Sequence, residues 1–573
     1  MLIKKVIINN YRGFSKFEVN LSKLTLIIGE NDSGKSNFFS ALTLPLSGND
    51  LGFNRKKLKI SDINSKSIFA LYKAVIDGKK DKELSSLVPI VSVYIELGDP
   101  NGEYEEALLQ KWITPDSGGD IFGIKYEFRP KSDSDLLESV KELLKGRSNV
   151  DDAKWFTFPL EHYDYQITST NNGKPISFND LKRLVVNHIG AERDDFSDDS
   201  TMKANGILSR MLSSTLKDNE KSAIYAAYID FFETIEKTDT FKKIINLDPG
   251  FENFSDHIDN LECIPNLPNL KNILSNITLQ SGKEFLYQRG LGDRNLIYII
   301  LLFEFYKLEK KYFNLCCIEE PEAHLGVNNL RLATDFIYKS TKKSKKSDEN
   351  SLLQTLVTSH NPTVINKLDI SNVLVFTGEK PVSLRDVTKT LLDYLRKRPN
   401  FDILKLLFTE KVILVEGTTE EMLINSFLLK NDDSLNSIEV ISIGQKGFKT
   451  FLDVWLKVNK DNPRKKIGVV RDYDDADKPK IEHNQYDIDN DNVIVRTTNG
   501  YTLENDLAAA GDNCKLLGEV FSITSPTENS IAEHMIKNKA KTMLELCDAL
   551  LDTEDPRALE LPSHIQEIVD FMQ

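Results

Sequence analysis

The chain has 573 residues, 40% hydrophobic and 28% charged, an ordinary globular composition whose length calls for two to four compact units. No apolar run reaches the length of a bilayer span. The opening MLIKKVIINNYRGF alternates like a strand rather than a secretion signal, so a cytoplasmic protein with no membrane partner is expected. A net charge of −14 is not that of a basic nucleic-acid binder, yet it leaves room for local basic patches and for carboxylates gathered around a cation.

Residues 1–35 read as two strands, KKVIINNY and LTLIIGE, running into a glycine loop. Gly29-Glu30-Asn31-Asp32-Ser33-Gly34-Lys35-Ser36 matches G-x4-G-K-[ST], with a strand before it and FFSAL, a predicted helix, after it. Backbone N–H groups freed by Gly29 and Gly34, flanked by Asn31 and Ser33, would converge on phosphate oxygens. Lys35 would meet the β/γ-phosphates of ATP and the Ser36 hydroxyl would ligate Mg²⁺. The bland alternative is a chance glycine-rich turn.

Further strands, or a strand and a helix, are expected at IFALYKAVI and IVSVYIEL. From about 130 to 270, LLESVKELLKG, GILSRMLSSTLKD and AIYAAYIDFFETIEK carry helical spacing and predict a helical insertion, far too short for a long coiled-coil arm. Strands resume at FNLCCIEE, LLQTLVTS and VLVF, in the order of a mostly parallel sheet. The basic stretch 343–351 reads as a solvated turn, and Cys316 and Cys317 as small core residues. The five scattered cysteines contain no C-x-x-C pair and predict neither a disulfide framework nor a zinc site. At the end of FNLCCIEE, Glu319 would hold Mg²⁺ through water and Glu320 would orient or deprotonate the attacking water. The alternative is the solvated end of a buried strand.

Pro321-Glu322-Ala323-His324-Leu325 follows those acids, and the next strand ends in Thr358-Ser359-His360-Asn361-Pro362. Here the chain resembles the ABC-ATPase superfamily, in particular its RecF/SMC/OLD branch. The resemblance implies a D-loop at 321–325, a switch histidine at His360, and Glu319 in place of the usual aspartate. The signature motif is matched by Gln288-Arg289-Gly290-Leu291-Gly292-Asp293-Arg294, which lacks the L-S-G-G-Q form. Gly290 and Gly292 would then face the γ-phosphate of a nucleotide held by another head, which implies a homo-oligomer.

After Pro399 a second α/β alternation begins with KVILVEG, IEVISIG, KIGVVRD and NVIVRTT. Glu416 ends one strand with Glu420 four residues on; Asp472, Asp474 and Asp475 end another. Acids at the carboxyl edge of a parallel sheet suit hard cations. An EF-hand is excluded, because the sixth loop position is Asp477 and the twelfth His483. A solvated acidic turn remains the plain alternative. E-G-x-x-E and R-D-x-D-D together resemble the Toprim domain. That implies Glu416, Asp472 and Asp474 as core metal-site residues, assisted by Glu420, with Glu504 and, more weakly, Asp506 from LENDL. Of Lys537, Lys539 and Lys541, Lys539 is the choice for a catalytic lysine; a solvated helix face is the alternative for each.

Along nearly its whole length the chain resembles the OLD family of ATP-dependent endonucleases. GFN at 52–54 and LENDL are similar to its Gabija branch, and such enzymes also occur as retron-linked effectors. The fold class expected is α/β, an ABC-type head with a helical insertion followed by a Toprim domain. The boundaries are 1–129 and 271–398 for the head, 130–270 for an oligomerising insertion, and 399–573 for Toprim. The resemblance implies DNA as substrate, Mg²⁺ or Mn²⁺ at both sites, and a dimer or tetramer. Two divalent ions would promote phosphodiester hydrolysis. Antiphage defence, with a UvrD-like helicase or a retron reverse transcriptase and its DNA as partner, is the expected setting. The rival reading is a RecF-like repair ATPase whose Toprim domain only binds. A topoisomerase is the weaker third class, since it needs a strand-attacking tyrosine in another domain and none is evident, and a primase needs a template-binding module.

Overall fold

A computed structural model describes residues 1–48, 56–100, 103–116, 119–150, 154–170, 173–190, 207–245, 269–275, 277–308, 313–341, 353–378, 380–385, 394, 397, 401–431, 437–444, 447–473, 477–552 and 559–573. Two compact units result: residues 1–25 with 36–359, and residues 26–35 with 360–573. Among the described residues, no helix is long and apolar enough to cross a membrane.

In the first unit, strands β1 (Leu2–Tyr11) and β2 (Phe14–Asn20) form an antiparallel pair. Val6 and Ile8 of β1 are fully buried, as its alternation predicts, and Ile3 is buried too because the register shifts between Ile3 and Lys5. The next strand, β3 (Leu24–Gly29), is divided between the units after Thr25, and helix α1 (Lys35–Leu42) follows it. β4 (Val91–Gly98) pairs antiparallel with β1, β5 (Gly119–Pro130) with β4, and β6 (Tyr163–Ser169) with β5. A parallel set runs beside them in the same unit: β7 (Leu184–Ile189), β8 (Phe313–Glu319) and β9 (Leu353–Thr358), with β8 in the middle. β8 and β9 are buried along nearly their whole length, as central parallel strands are, although Asn314, Gln354, Thr355 and Thr358 are polar.

The span 130–270 is therefore not uniformly helical. Helices occur at Asp133–Leu143, Ile207–Thr215, Asp218–Glu236 and Asp239–Ile245, but β6 and β7 lie within the same span. YDYQITS and LVVNHI are too short for their periodicity to register against longer helical flanks, and their partners lie in distant sequence.

In the second unit, residues 26–29 of β3 pair in parallel with β10 (Val373–Phe376), and β11 (Pro381–Ser383) adds an antiparallel edge. A separate four-stranded parallel sheet has the order β13–β12–β14–β15, built from β12 (Lys411–Val415), β13 (Ile438–Ser442), β14 (Lys466–Arg471) and β15 (Val493–Thr497). Its strands alternate with helices, as a parallel sheet requires. The order places β12 and β14, whose ends carry Glu416 and Asp472, side by side in the middle.

The helix Ser563–Met572 closes on this sheet at Gly468, where an added Cβ would stand 2.6 Å from Ile568 Cγ2 and 3.0 Å from Met572 Cε. Gly468→Val has a better strand propensity, but the steric term is larger. The expected result is a loss of about 1–3 kcal/mol, read as a lower urea midpoint at unchanged slope.

Candidate nucleotide and carboxylate sites

In the second unit, the fully buried run Leu26, Ile27 and Ile28 delivers the chain to Gly29. A Cβ at Gly29 would lie 2.5 Å from Ser33 Oγ and 2.8 Å from the Phe376 carbonyl oxygen, so only glycine lets the loop fold back here. Asp32 (φ 63°) and Gly34 (φ 97°) are left-handed, which turns successive N–H groups toward one side. Lys35 Nζ donates to the carbonyls of Gly29 and Glu30, both at 2.9 Å. The Glu30 carboxylate in turn meets Lys465 Nζ at 2.5 Å, a buried lysine that also donates to the Phe408 carbonyl at 2.6 Å. Asn31 and Ser36 are exposed, Ser36 in the first turn of α1.

In the first unit, β8 ends at Glu319, whose Oε1 lies 3.3 Å from His188 Nε2 near the end of β7. His188 carries little signal in the sequence: it is one ionisable residue, next to last in the run LVVNHI. Glu320 takes a left-handed conformation (φ 43°), and its N–H donates to the Thr358 carbonyl at 3.0 Å. That bend turns the chain sharply after the strand. Ser359 Oγ donates to Glu322 at 2.8 Å.

The signature segment packs on the D-loop: Asn295 Nδ2 donates to the Ala323 carbonyl at 3.1 Å, and a Cβ on Gly292 would lie 2.7 Å from the His324 carbonyl oxygen. Gly290 has open space where its Cβ would be. His360, belonging to the second unit, is exposed directly before Asn361, which caps the helix Pro362–Leu368.

The carboxylates lie at the carboxyl edge of the four-stranded sheet. Leu414 pairs with Val469, which sets Glu416 level with Arg471 and one residue short of Asp472, on strands about 4.8 Å apart. Gly417 lets the chain pass close over Glu420, since its Cβ would be 2.9 Å from Glu420 Oε2. Glu420 is 8% exposed and accepts from Thr419 Oγ1 at 3.0 Å. Asp472 Oδ1 accepts the Leu503 N–H at 3.2 Å, which seats the helix Leu503–Ala509 on the end of β14 and brings Glu504 to the same edge. Glu504 is 4% exposed, and Lys539 Nζ stands 3.5 Å from its Oε1. Lys541 instead pairs with Glu545 at 3.6 Å, and Lys537 is exposed.

Asp506, the weaker expected metal ligand, faces elsewhere. It accepts from the Asn499 and Gly500 N–H groups at 2.6 and 2.5 Å, and its Oδ2 lies 3.1 Å from buried His564 Nδ1. Burial alone would raise its pKa, but the His564 bond and the two backbone bonds outweigh it and hold the carboxyl below its ordinary 3.8. A depressed pKa contributes stability that is present above the ordinary aspartate range and is lost as pH falls through the native value. Asp506→Ala is expected to cost about 1–3 kcal/mol at neutral pH by stranding its donors. Urea melts should show that cost shrinking as the pH drops below the native value.

Asp474, the GFN run at 52–54 and the basic loop 343–351 lie outside the described residues. Among the described residues, no group of three or more His, Cys, Asp or Glu side chains is already gathered as a metal cage. The carboxylates meet along one sheet edge rather than around one point.

Residues 1–365 match the family described as AAA ATPase domain, and residues 407–474 match the TOPRIM domain of overcoming lysogenization defect protein-like proteins. Among curated proteins, the chain is 23% identical over 472 residues to an endonuclease GajA from Bacillus cereus strain HuB5-5, covering 73% of this chain and 66% of that protein. The chain thus spans just under two thirds of that relative's length. A second endonuclease GajA, from Bacillus cereus strain VD045, is 22% identical over 465 residues, covering 79% of this chain and 72% of that protein. Among solved structures, the SMC head domain from Thermotoga maritima aligns with a TM-score of 0.29 at 12% identity, covering 65% of this chain and 94% of that one. The chain belongs to the AAA ATPase domain family and carries behind that domain a TOPRIM domain of the overcoming-lysogenization-defect type.

Proposed function

We propose that the protein is an ATP-regulated, divalent-metal-dependent DNA endonuclease. The observation that carries this reading is the meeting of Glu416, Asp472 and Glu504 at one edge of a parallel sheet, with Lys539 against Glu504. The two relatives named as endonucleases support the same chemistry. All-oxygen donors suit a hard cation such as Mg²⁺ or Mn²⁺. Glu416, Glu420, Asp472 and Glu504 would hold it, with Asp474 following Asp472 in the chain, and the bound cation would supply Lewis acidity for phosphodiester hydrolysis. Lys539, 3.5 Å from Glu504 Oε1, would offer an ammonium to a phosphate oxygen at the same edge. Asp506 anchors the 499–500 turn, and so positions the helix that carries Glu504.

For the nucleotide, Gly29, Asn31, Ser33, Gly34, Lys35 and Ser36 supply the phosphate loop. Ser33 Oγ is buried without a hydrogen-bond partner, an orphan that a phosphate oxygen satisfies. We assign Glu319 to Mg²⁺, Glu320 to the attacking water, and His360, Gly290 and Gly292 to the γ-phosphate. In this reading ATP controls cleavage rather than supplying its chemistry.

A homo-oligomer follows from a signature segment that serves a neighbouring head. The helix Asp218–Glu236 supports self-association, because among the described residues none of its side chains is buried and Phe231 is 58% exposed. Bacterial antiphage defence, alongside a helicase or a retron reverse transcriptase, is the setting the OLD resemblance suggests. The test is nicking or linearisation of supercoiled plasmid with Mg²⁺ or Mn²⁺. Activity is expected with metal and absent with a chelator; cleavage that persists in chelator would overturn the metal assignment.

A further inference from the structure

The long helix Glu528–Leu551 is broken in its middle. Asn538 has non-helical dihedrals (φ −121°, ψ 22°). Sharp bends in helices have identifiable causes, and this one is built from side chains. Asn538 Nδ2 donates to the His534 carbonyl at 3.1 Å, replacing with a side-chain amide the kind of bond a helical N–H makes four residues back. On the far side, Thr542 Oγ1 donates to the carbonyls of Lys539 at 3.2 Å and Asn538 at 3.5 Å. Thr542 is 1% exposed, so its hydroxyl must find its partner inside the protein. Hydroxyl bonds of this kind bend helices.

Position 538 is not an ordinary surface position. The buried stripe of this helix runs through Ile531, Met535, Thr542, Leu546 and Leu550. Asn538 falls on that stripe, seven residues after Ile531 and four before Thr542. A helix that only packed would carry a large apolar residue there, with higher helix propensity and more area to bury. Two polar residues at successive stripe positions, each bonded to the backbone at the break, are a local conflict of the kind found at functional sites. The residue immediately after the break is Lys539, whose Nζ reaches buried Glu504.

We propose that Asn538 and Thr542 are positioning residues for cleavage: together they hold the kink that delivers Lys539 to Glu504 at the carboxylate edge. This rests on the nuclease reading above. Asn538 and Thr542 act only through Lys539 and touch no substrate.

The test uses the full chain and supercoiled plasmid with Mg²⁺ and, separately, with Mn²⁺. Asn538→Leu and Thr542→Val are expected to lower kcat by about 10²-fold, the order of effect of an ångström-scale misplacement of a catalytic group, with KM for plasmid unchanged. Thr542→Ser keeps the hydroxyl and should retain near-parental kcat. Asn538→Leu/Lys539→Ala should be no slower than Lys539→Ala alone, because the two changes remove one contribution. Parental kcat in both Asn538→Leu and Thr542→Val would overturn the proposal. So would equal losses in Thr542→Ser and Thr542→Val, or losses that multiply in the double variant. If the parent itself cleaves and Glu416→Gln does not, such results count against the kink alone. If the parent fails to cleave with either metal, the nuclease reading falls and the positioning role falls with it.

Discussion

Glu416→Gln and Asp472→Asn are each expected to reduce plasmid cleavage by at least about 10³-fold, several kcal/mol of lost transition-state stabilisation, while leaving nucleotide binding intact. The amide variants are chosen for a structural reason. Asp472 Oδ1 accepts the Leu503 N–H, so alanine there would also release the helix that carries Glu504. Asparagine keeps an acceptor oxygen and a similar shape, and removes only the charge. Glu416 lies at the end of the buried strand β12, where glutamine likewise preserves volume. Fluorescent-nucleotide titration and plasmid cleavage on the same preparations separate loss of chemistry from loss of fold. ATP binding should survive, because these acids lie beyond the matched ATPase family residues 1–365.

Lys35→Ala is expected to weaken ATP binding by about 10²-fold or more, the scale of a lost charge-assisted contact to phosphate. Lys35 Nζ donates to the Gly29 and Glu30 carbonyls, so the substitution removes both the phosphate's partner and a brace of the loop. Glu320→Gln should behave differently: ATP stays bound and its hydrolysis slows, because that side chain is assigned to the attacking water rather than to the nucleotide. Isothermal titration and phosphate release distinguish the two. Equal ATP affinity and turnover in both variants and the parent would remove the assigned roles of this loop and of Glu320.

Much of the site's framework is legible in the sequence, because strand ends are local. LTLIIG, FNLCCIE, KVILV and KIGVVR are apolar runs closed by glycine or acid, and the structure ends strands at or beside Gly29, Glu319, Glu416 and Asp472. What is not legible depends on contacts across long sequence separations. β7 reads as part of a helical span because its identity as a strand comes from pairing with β8, more than a hundred residues on. The same pairing brings His188 to Glu319. Glu504 and Asp506 stand two residues apart on one short helix and look equivalent in LENDL. Only the tertiary structure separates them: one meets Lys539, and the other is saturated by a backbone turn and His564. Lys539 is likewise set apart from Lys537 and Lys541 by the break at Asn538, which no periodicity announces.

The most direct measurement pairs two readouts on the Glu416→Gln/Asp472→Asn double variant. Supercoiled plasmid is incubated with Mg²⁺ or Mn²⁺, and nucleotide binding is measured on the same folded preparation, with the parent beside it. The expected result is intact plasmid with parental ATP affinity. Full nicking by the folded double variant would contradict the assignment of cleavage to the carboxylate edge of the second unit.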